Sequence, residues 1–506
     1  MEPPNPFIHK VRLSQTQRIR GVLLGSFLFP LRLFLAALLF LIMWPLARLR
    51  FLGVSEEQRA RPVSGWRRWL LHPLVWALSR GAFFCLGFLW VRVKGKRADV
   101  TEAPVLVAAP HRGFLDMIVL LPTQLPTVVS RSENTSLPVI GALLEYNQAV
   151  MVSRTDPQSR KQAVAQLNQR LTSKGYWPQM LMFSEGTTTN GKALIKFKPG
   201  AFLAGVPVQP VLLHYPNKVD TVCWTFRGTS WLECLWHTTS QLFTNVTVEF
   251  LPVYKPSEEE KKDPGLYADN VQKLMAKALE VPSTDCVLEG GVPVSKLGGL
   301  SLPFKSPPRE ALLLLRKNGF SSSDMEEALD RMIDRCRTSN VTAVTTDELK
   351  SLLRLKDGEA ASAICKLYCK GSSVDLRQVY LGLAAVSGSV PFRSLLHTAF
   401  TMFDADGSGS LSAVQLSDLM GALLGLSQHN TAELYSATCC SDALTEDALL
   451  RALTLHPTYH RVSTEHLQPE EAGSQLSITA LRHGNAVNNN KSVANGNGSL
   501  QSKKWD

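Results

Sequence analysis

The sequence predicts an α/β domain that is attached to a membrane by an N-terminal helix or hairpin and is followed by an all-α domain. Three observations lead to this fold class. A long apolar run lies near the N-terminus, short apolar segments alternate with helical patterns up to about residue 285, and amphipathic helices dominate from about residue 307. Strands that alternate with helices form a sheet covered by helices, whereas amphipathic helices pack against one another.

The composition is that of a folded protein. Of the 506 residues, 45% are hydrophobic and 19% are charged, which excludes a disordered chain and a transporter of many spans. The net charge of +11 suits an anionic lipid surface, a phosphorylated substrate or nucleic acid, and does not choose among them. The nine cysteines lack the spacing of a disulfide framework or a zinc site, so we expect neither.

The membrane signal lies in residues 21–50, which follow an N-terminal tail of residues 1–20. Between residues 21 and 47 the only charged side chain is Arg32, and roughly 20 apolar residues suffice to span a bilayer. Pro30 and Pro45 interrupt the run, so a spanning helix and a hairpin both remain open. A second apolar segment, residues 66–91, carries four tryptophans among arginines and is typical of an interfacial anchor.

The α/β pattern follows the membrane segments. Between the third and fourth predicted strands lies one clear helix, which Asp156 should cap, Pro157 should begin and Gly175 should end. The predicted strands are residues 105–109, 127–130, 149–153, 179–183, 208–213 and 247–254.

The candidate catalytic pair is His111 and Asp116. His111 lies just past the predicted strand 105–109, and reactive groups in open α/β folds lie where strands end. If a helix begins just after it, Asp116 can face the imidazole, fix its tautomer and stabilise the imidazolium that forms when His111 takes a proton. No serine or cysteine nucleophile is evident, so we expect the substrate's own hydroxyl to attack. The spacing alone is weak, because chance supplies it easily in a chain of this length.

A second group of candidates follows the predicted strand 179–183. Glu185, Gly186 and Thr187 form a turn at the strand end. Glycine lets the backbone approach a ligand closely, and threonine with nearby N–H groups can bind an anion. The turn is therefore a candidate phosphate site.

Cationic side chains lie near this turn. Lys198, preceded by Lys192 and Lys196, could meet a phosphate, although a solvated surface explains each lysine taken singly. Arg154 closes the strand 149–153 and is either a bidentate phosphate partner or a surface residue.

These motifs, in this order, resemble the glycerophospholipid acyltransferase family. The pattern consists of His-x4-Asp at 111–116, a strand ending in arginine at 152–154, Phe-x-Glu-Gly-Thr at 183–187 and Val-Pro-Val at 206–208. Over about residues 5–285 the sequence resembles the lysophosphatidylcholine acyltransferase subfamily, closest to its lysophosphatidylethanolamine-using member. Two positions depart from the family pattern: Ser184 replaces a proline, and residues 112–115, Arg-Gly-Phe-Leu, replace a serine-rich aromatic interior.

The resemblance implies that residues 92–285 are an acyltransferase domain that uses acyl-CoA as co-substrate and requires no cofactor. It implies a base and its partner, His111 and Asp116, and a glycerophosphate site formed by Glu185, Gly186 and Arg154. The expected reaction re-acylates lysophosphatidylethanolamine or lysophosphatidylcholine among membrane lipids, with no role for nucleic acid. Two alternatives stay open. One is acylation of glycerol-3-phosphate or lysophosphatidic acid, and the other is a catalytically weak membrane-tethered adaptor with an EF-hand-like domain.

Residues 307–455 are expected to form that all-α, EF-hand-like domain. Its loop pattern places Gln415 where calcium needs a bidentate glutamate, and the expected partner loop in residues 367–383 lacks acidic ligands. A structural pair is therefore preferred to weak calcium binding. The candidate ligands are Asp404, Asp406, Ser408 and Ser410.

The tail, residues 463–506, is rich in Asn, Gly and Ser and is expected to be disordered. Lys503 and Lys504 lie at the positions of a dilysine signal, which coat proteins read on endoplasmic reticulum membranes. The expected location is therefore the endoplasmic reticulum membrane, with the tail on its cytosolic side.

Overall fold

The computed structural model describes residues 5–153, 156–339, 341–368, 373–404, 406–438 and 444–469. Predictions for Arg154 and for the dilysine end of the chain lie outside these residues. The chain divides into two compact units, of which the first ends at Lys296 and the second begins at Leu297.

Among the residues described, the first unit contains eleven strands and eight α-helices, and the last residue of its eleventh strand, Leu297, is the first residue of the second unit. The strands are β1 (Ile8–His9), β2 (Val91–Lys94), β3 (Val105–Ala109), β4 (Thr127–Arg131), β5 (Val150–Val152), β6 (Met180–Met182), β7 (Val208–His214), β8 (Arg227–Gly228), β9 (Val246–Phe250), β10 (Cys286–Glu289) and β11 (Val292–Leu297). The helices are α1 (Gln15–Leu49), α2 (Glu56–Arg59), α3 (His72–Cys85), α4 (Pro138–Tyr146), α5 (Pro157–Leu171), α6 (Trp231–Thr239), α7 (Glu258–Lys262) and α8 (Pro264–Leu279).

Seven of these strands form one mixed sheet in the order β2-β9-β7-β3-β6-β4-β5. The α/β prediction is confirmed, and each of the six predicted strands is present within a few residues of its expected bounds. The sequence did not predict β2. It assigned Val91 to the second apolar segment, but Val91 begins an edge strand that pairs in parallel with β9.

β3 lies inside the sheet and positions the candidate catalytic pair. It runs parallel to both β6 and β7, so the three strands end at the same edge. Every residue of β3 is buried because helices and loops cover both faces of the sheet. Val105 and Val107 pack with α5 and α8 on one face, whereas Leu106 and Ala108 face the opposite core.

The apolar N-terminal run forms the single helix α1, so the alternative of a hairpin is wrong. Ser14 and Gln17 cap its first turn reciprocally, and the helix continues through both Pro30 and Pro45. It is the only described helix that is long and apolar enough to cross a membrane. At about 1.5 Å per residue its 35 residues extend about 52 Å.

One face of α1 packs on the rest of the first unit along most of the helix. The helix contacts α3, α4 and α6 through a line of half-buried and buried side chains spaced three or four residues apart. Arg32, the one charge in the apolar run, donates to the backbone oxygens of Thr239 (2.8 Å), Gln241 (2.6 Å) and Leu242 (2.7 Å). The guanidinium therefore caps the carboxyl end of α6, where the helix dipole favours a cation.

The helix after β5 starts as predicted but ends earlier. Asp156 accepts hydrogen bonds from the backbone of Gln158 at 2.9 Å and Ser159 at 3.1 Å, which is the expected cap. The prediction that Gly175 terminates the helix is wrong. The last helical residue is Leu171, and Gly175, with φ of +86°, belongs to the turn that leads toward β6.

The second unit is mainly helical. Its strands are β12 (Leu300–Pro303), β13 (Ala343–Thr345) and β14 (Ser373–Asp375). Its helices are α9 (Pro307–Lys317), α10 (Ser322–Thr338), α11 (Thr346–Leu352), α12 (Gly358–Tyr368), α13 (Leu376–Ser387), α14 (Phe392–Phe403), α15 (Ala413–Leu424), α16 (Ala432–Thr438), α17 (Glu446–Leu455) and α18 (His460–Glu465).

Two expectations about this unit need correction. The expected partner of the loop between α14 and α15 needs correction, because among the residues described β14 pairs with β13 and Leu411 of the loop pairs with Leu444. The helices also continue beyond residue 463, the predicted start of the disordered tail. α18 extends to Glu465, and Leu467 is buried in the core of the unit, while residues 470–506 lie outside those described.

Candidate active site

The candidate base lies at the edge where β3, β6 and β7 end. His111 Nδ1 lies 2.8 Å from Asp116 Oδ2, as the spacing predicts. The contact forms because a 3-10 helix spans Phe114–Leu120 and Asp116 is the third residue of this helix. With a carboxylate on Nδ1, the imidazole keeps Nε2 as its proton acceptor.

Asp116 is fully buried, and the surrounding chain satisfies both of its oxygens. Oδ2 accepts bonds from the backbone N–H groups of Arg112 and Gly113, the latter at 2.8 Å. Oδ1 accepts a bond of 2.6 Å from the hydroxyl of Tyr215. A buried carboxylate with this many donors is held in one orientation, so the imidazole is held as well.

The ring of His111 is fixed on its other side by an aromatic contact. Phe183, the residue after β6, stacks on it with ring centroids 4.2 Å apart and planes at 25°. The side chain of His111 keeps 19% of its surface exposed, so the imidazole is reachable from outside.

Glu185 lies next to the loop that carries His111 and is 1% exposed. Oε1 accepts the backbone N–H of His111 at 2.6 Å, and Oε2 accepts the hydroxyl of Thr189 at 3.2 Å. Thr189 in turn donates its backbone N–H to the carbonyl of His111 at 2.7 Å. Burial raises the pKa of Glu185 to about 8, although the bond from His111 opposes this rise. The carboxyl therefore holds much of its proton near neutral pH.

The remaining members of the predicted phosphate site lie around the turn after Glu185. Gly186 has φ of +65°, a left-handed conformation that favours glycine, and a Cβ there would lie 2.8 Å from the flexible side chain of Lys198. Thr187 is half-buried beside it. Lys196 is turned away, because its ammonium binds Asp269 at 3.2 Å and Asp285 at 3.5 Å.

The unusual Arg112 does not point its charge at the base. Its guanidinium pairs with Asp220 and donates to the sulfur of Cys223 at 3.1 Å. His9, Asp220 and Cys223 present ligand atoms close enough to hold a metal ion, but the guanidinium already lies among them and opposes a second cation.

Tyr215 and Asp220 were missed because they lie about a hundred residues from the pair they support. A weak signal existed for Tyr215, since it directly follows β7, a strand parallel to β3. No sequence pattern singles out Asp220.

In the second unit, the loop between α14 and α15 is closed by its own hydrogen bonds. Asp404 accepts the backbone N–H groups of Ser408 at 3.0 Å and Gly409 at 2.8 Å. The amide of Gln415 donates to the carbonyl of Phe403 at 3.0 Å.

Comparison with known proteins gives consistent results. The family model described as Acyltransferase matches residues 90–214. The human protein named Lysophospholipid acyltransferase LPCAT4 is 43% identical over 511 residues, covering 99% of this chain and 95% of the relative. Human Lysophosphatidylcholine acyltransferase 2 is 38% identical over 466 residues, covering 92% of this chain and 85% of the relative.

A solved structure also aligns with part of the chain. It is the 1-acyl-sn-glycerophosphate acyltransferase PlsC from Thermotoga maritima, with 19% identity and a TM-score of 0.34. The alignment covers 52% of this chain and 98% of that one, and its score is too low to carry an argument.

Proposed function

Because this chain belongs to the lysophospholipid acyltransferase family, we propose that it re-acylates lysophospholipids to diacyl phospholipids with acyl-CoA as acyl donor. The family assignment rests on relatives more than 30% identical along most of their length. The observation that carries the chemistry is the buried Asp116 on Nδ1 of His111, whose imidazole is partly exposed.

In the proposed reaction, Nε2 of His111 takes the proton of the acceptor hydroxyl as its oxygen attacks the thioester carbonyl. The new C–O ester bond forms, the C–S bond breaks, and the thiolate of coenzyme A leaves. The imidazolium then returns its proton to the thiolate or to water. Thiolates leave readily, so the residues mainly supply position and one base. Asp116 stabilises the imidazolium between the two proton transfers.

We assign Glu185 to the support of the catalytic loop and not to direct contact with the substrate phosphate. Both of its oxygens already accept bonds from His111 and Thr189, and the side chain is buried. Gly186, Thr187 and the exposed Lys198 stay candidates for the phosphate, together with Arg154 from the sequence pattern. A cationic side chain over an open turn suits an anionic phosphate.

The preferred acceptors in this proposal are lysophosphatidylethanolamine and lysophosphatidylcholine. The names of the curated relatives support lysophospholipids over glycerol-3-phosphate or lysophosphatidic acid. The intact pair of His111 and Asp116 argues against an inactive adaptor.

The test is acyl transfer from radiolabelled acyl-CoA to a panel of acceptors, in membranes of cells that express the full chain. Turnover of lysophosphatidylethanolamine or lysophosphatidylcholine is expected, and its loss in His111→Ala. The matched control is His397→Ala, which removes a histidine with a similar Nδ1–carboxylate contact of 2.9 Å to Glu446 in the second unit. Turnover of glycerol-3-phosphate alone, or full activity of His111→Ala, would overturn the proposal.

Membrane association follows from α1 and the exposed aromatic side chains near it. Trp66, Trp69 and Trp90 are more than half exposed, which suits a lipid interface. The endoplasmic reticulum as location, coat recognition of Lys503 and Lys504, and independence of calcium are proposals from the sequence. Replacing both lysines by alanine should move a fluorescently tagged chain out of the endoplasmic reticulum, and unchanged localisation would refute the signal.

A further inference from the structure

A third side chain completes the pair of His111 and Asp116. Tyr215 directly follows β7, and β7 runs parallel to β3, whose end leads to His111. Its hydroxyl donates to Asp116 Oδ1 at 2.6 Å. Among the residues described, Asp116 accepts its other bonds, from His111 and two backbone N–H groups, on Oδ2. Tyr215 is therefore the donor for the oxygen that does not face the imidazole.

We propose that Tyr215 is a positioning residue for acyl transfer, which orients Asp116 and draws part of its negative charge away from the oxygen that binds His111. This inference rests on the proposed function. A carboxylate that accepts a strong bond on one oxygen attracts a proton less at the other. The carboxylate still stabilises the imidazolium that forms during the reaction.

The phenol is suited to remain a donor. Burial, with the nearby carboxylate of Asp116 adding to it, holds the pKa of Tyr215 well above its usual range. The hydroxyl therefore stays protonated at any pH where the enzyme works.

Residues 112–115, which differ from the family pattern, support the contact between Tyr215 and Asp116. The guanidinium of Arg112 lies over the ring of Tyr215, 5.7 Å from its centroid, and is anchored by Asp220. At Gly113, a Cβ would lie 2.7 Å from the carbonyl oxygen of Val222, so glycine is needed where the backbone N–H must reach Asp116. Arg112 thus braces the tyrosine instead of charging the base, and Gly113 allows the close approach.

Other titratable groups around the pair do not change between the variants compared below. Burial raises the pKa of both thiols, Cys223 and Cys234, so they stay neutral. The pKa of Glu185 is about 8, so this group titrates on the alkaline side of the profile. Among the residues described, the charged and titratable groups around His111 and Asp116 are Arg112, Glu185, Tyr215, Asp220, Cys223 and Cys234.

The experiment compares Tyr215→Phe with wild type across about pH 5 to 9, measuring kcat/KM for lysophospholipid with radiolabelled acyl-CoA. Loss of the donor leaves more charge on the Asp116 oxygen that binds the imidazole, which holds its proton more tightly. The acidic limb of the profile should move to higher pH by up to about one unit, roughly the effect of one hydrogen bond on a carboxylate. Activity on that limb should fall by up to roughly tenfold, with KM unchanged.

Tyr254→Phe is the matched control. Tyr254 also donates to a carboxylate, Glu260, at 2.6 Å, but it has no contact with the catalytic pair. The acidic limb of the pH profile of Tyr254→Phe should coincide with that of wild type. A second variant carries fluorotyrosine at position 215, which keeps the ring and the hydroxyl but donates a stronger bond. Its acidic limb should move to lower pH, which a purely structural role would not produce.

The outcomes separate this inference from the proposed function. Wild type that fails to acylate any lysophospholipid would sink the proposed function. If wild type is active but the acidic limb of the pH profile does not move in Tyr215→Phe, the positioning role alone is refuted. The same holds if the limb moves equally in Tyr254→Phe. If Tyr215→Phe is recovered unfolded, the direction of the fluorotyrosine shift decides in the same way.

Discussion

Replacing Glu185 by glutamine should make the protein more stable relative to wild type as the pH rises. The folded state raises the pKa of this buried carboxyl to about 8 from 4.5, its ordinary value in an unfolded chain. The folded protein therefore binds a proton that the unfolded chain has already released. Stability is lost as the pH rises from about 4.5 through about 8, and it is fully retained only below the lower value.

The two pKa values set the size of the effect. The raised pKa of Glu185 lowers the free energy of unfolding by about 2 kcal/mol near pH 6 and by about 5 kcal/mol near pH 9. The loss therefore grows by about 3 kcal/mol between these two pH values. Glutamine has the same shape, stays neutral, accepts the N–H of His111 and can donate to Thr189. The variant should not feel this cost. The measurement is the melting temperature in detergent micelles. For a unit of this size, the melting temperature of the variant minus that of wild type should be roughly 5 °C larger near pH 9 than near pH 6.

Glu260→Gln is the control, because its carboxyl is also buried but titrates in the opposite sense. Burial acts to raise the pKa of Glu260, but bonds from Tyr254, Ser257 and Asn270 outweigh it and lower the pKa. Its stabilising effect is present above the unfolded pKa, so Glu260→Gln should melt lower than wild type by the same amount near pH 6 and pH 9. An equal gap between Glu185→Gln and wild type at both pH values would refute the reasoning. Glu185 would then be ionised in the folded protein and available to a substrate.

Three further outcomes follow from the same structure. Asp116→Asn should lower turnover by roughly 10³-fold or more with little change in KM, because the imidazolium loses its counter-charge; initial rates that stay within tenfold of wild type would contradict this. Epitope tags at the two ends of the chain should be digested by protease from the same side of sealed membrane vesicles, because one face of α1 packs on the rest of the first unit. Digestion of the two tags from opposite sides would show that α1 spans the membrane. Micromolar calcium should produce no heat in calorimetry, because the loop that starts at Asp404 has Gln415 at its last ligand position; a clear isotherm would show that the loop binds the ion.

The parts of the fold and site that depend on local sequence could be predicted. The six apolar runs become strands because their residues suit a sheet buried on both faces. The contact of His111 with Asp116 follows from a strand end and a five-residue spacing, both visible in the sequence. The cap at Asp156 is local for the same reason.

The parts that depend on register between distant segments could not be predicted. Tyr215 meets Asp116 only because β3 and β7 are aligned side by side, and 99 positions separate the two residues. The sequence places Glu185 at a strand end but does not say whether its carboxyl turns inward to His111 or outward to a ligand. Similarly, Pro30 in the sequence is compatible with a helix or a hairpin. In the structure the segment is one helix that packs on α3, α4 and α6, which are distant in sequence.

The contacts of Arg32 connect α1 with the end of α6. Arg32 caps α6, and α6 starts just after the exposed Phe226. Trp224, 38% exposed, donates its backbone N–H to the carbonyl of Arg112 at 2.7 Å and packs against Phe114. Exposed apolar side chains are present on α1 (Phe34, 66% exposed), at the start of α6 (Trp231, 56% exposed) and beside the loop that carries His111 (Trp224). For an acceptor whose acyl chain stays in the bilayer, we expect the packing of α1 on α6 to help hold the acceptor hydroxyl near His111.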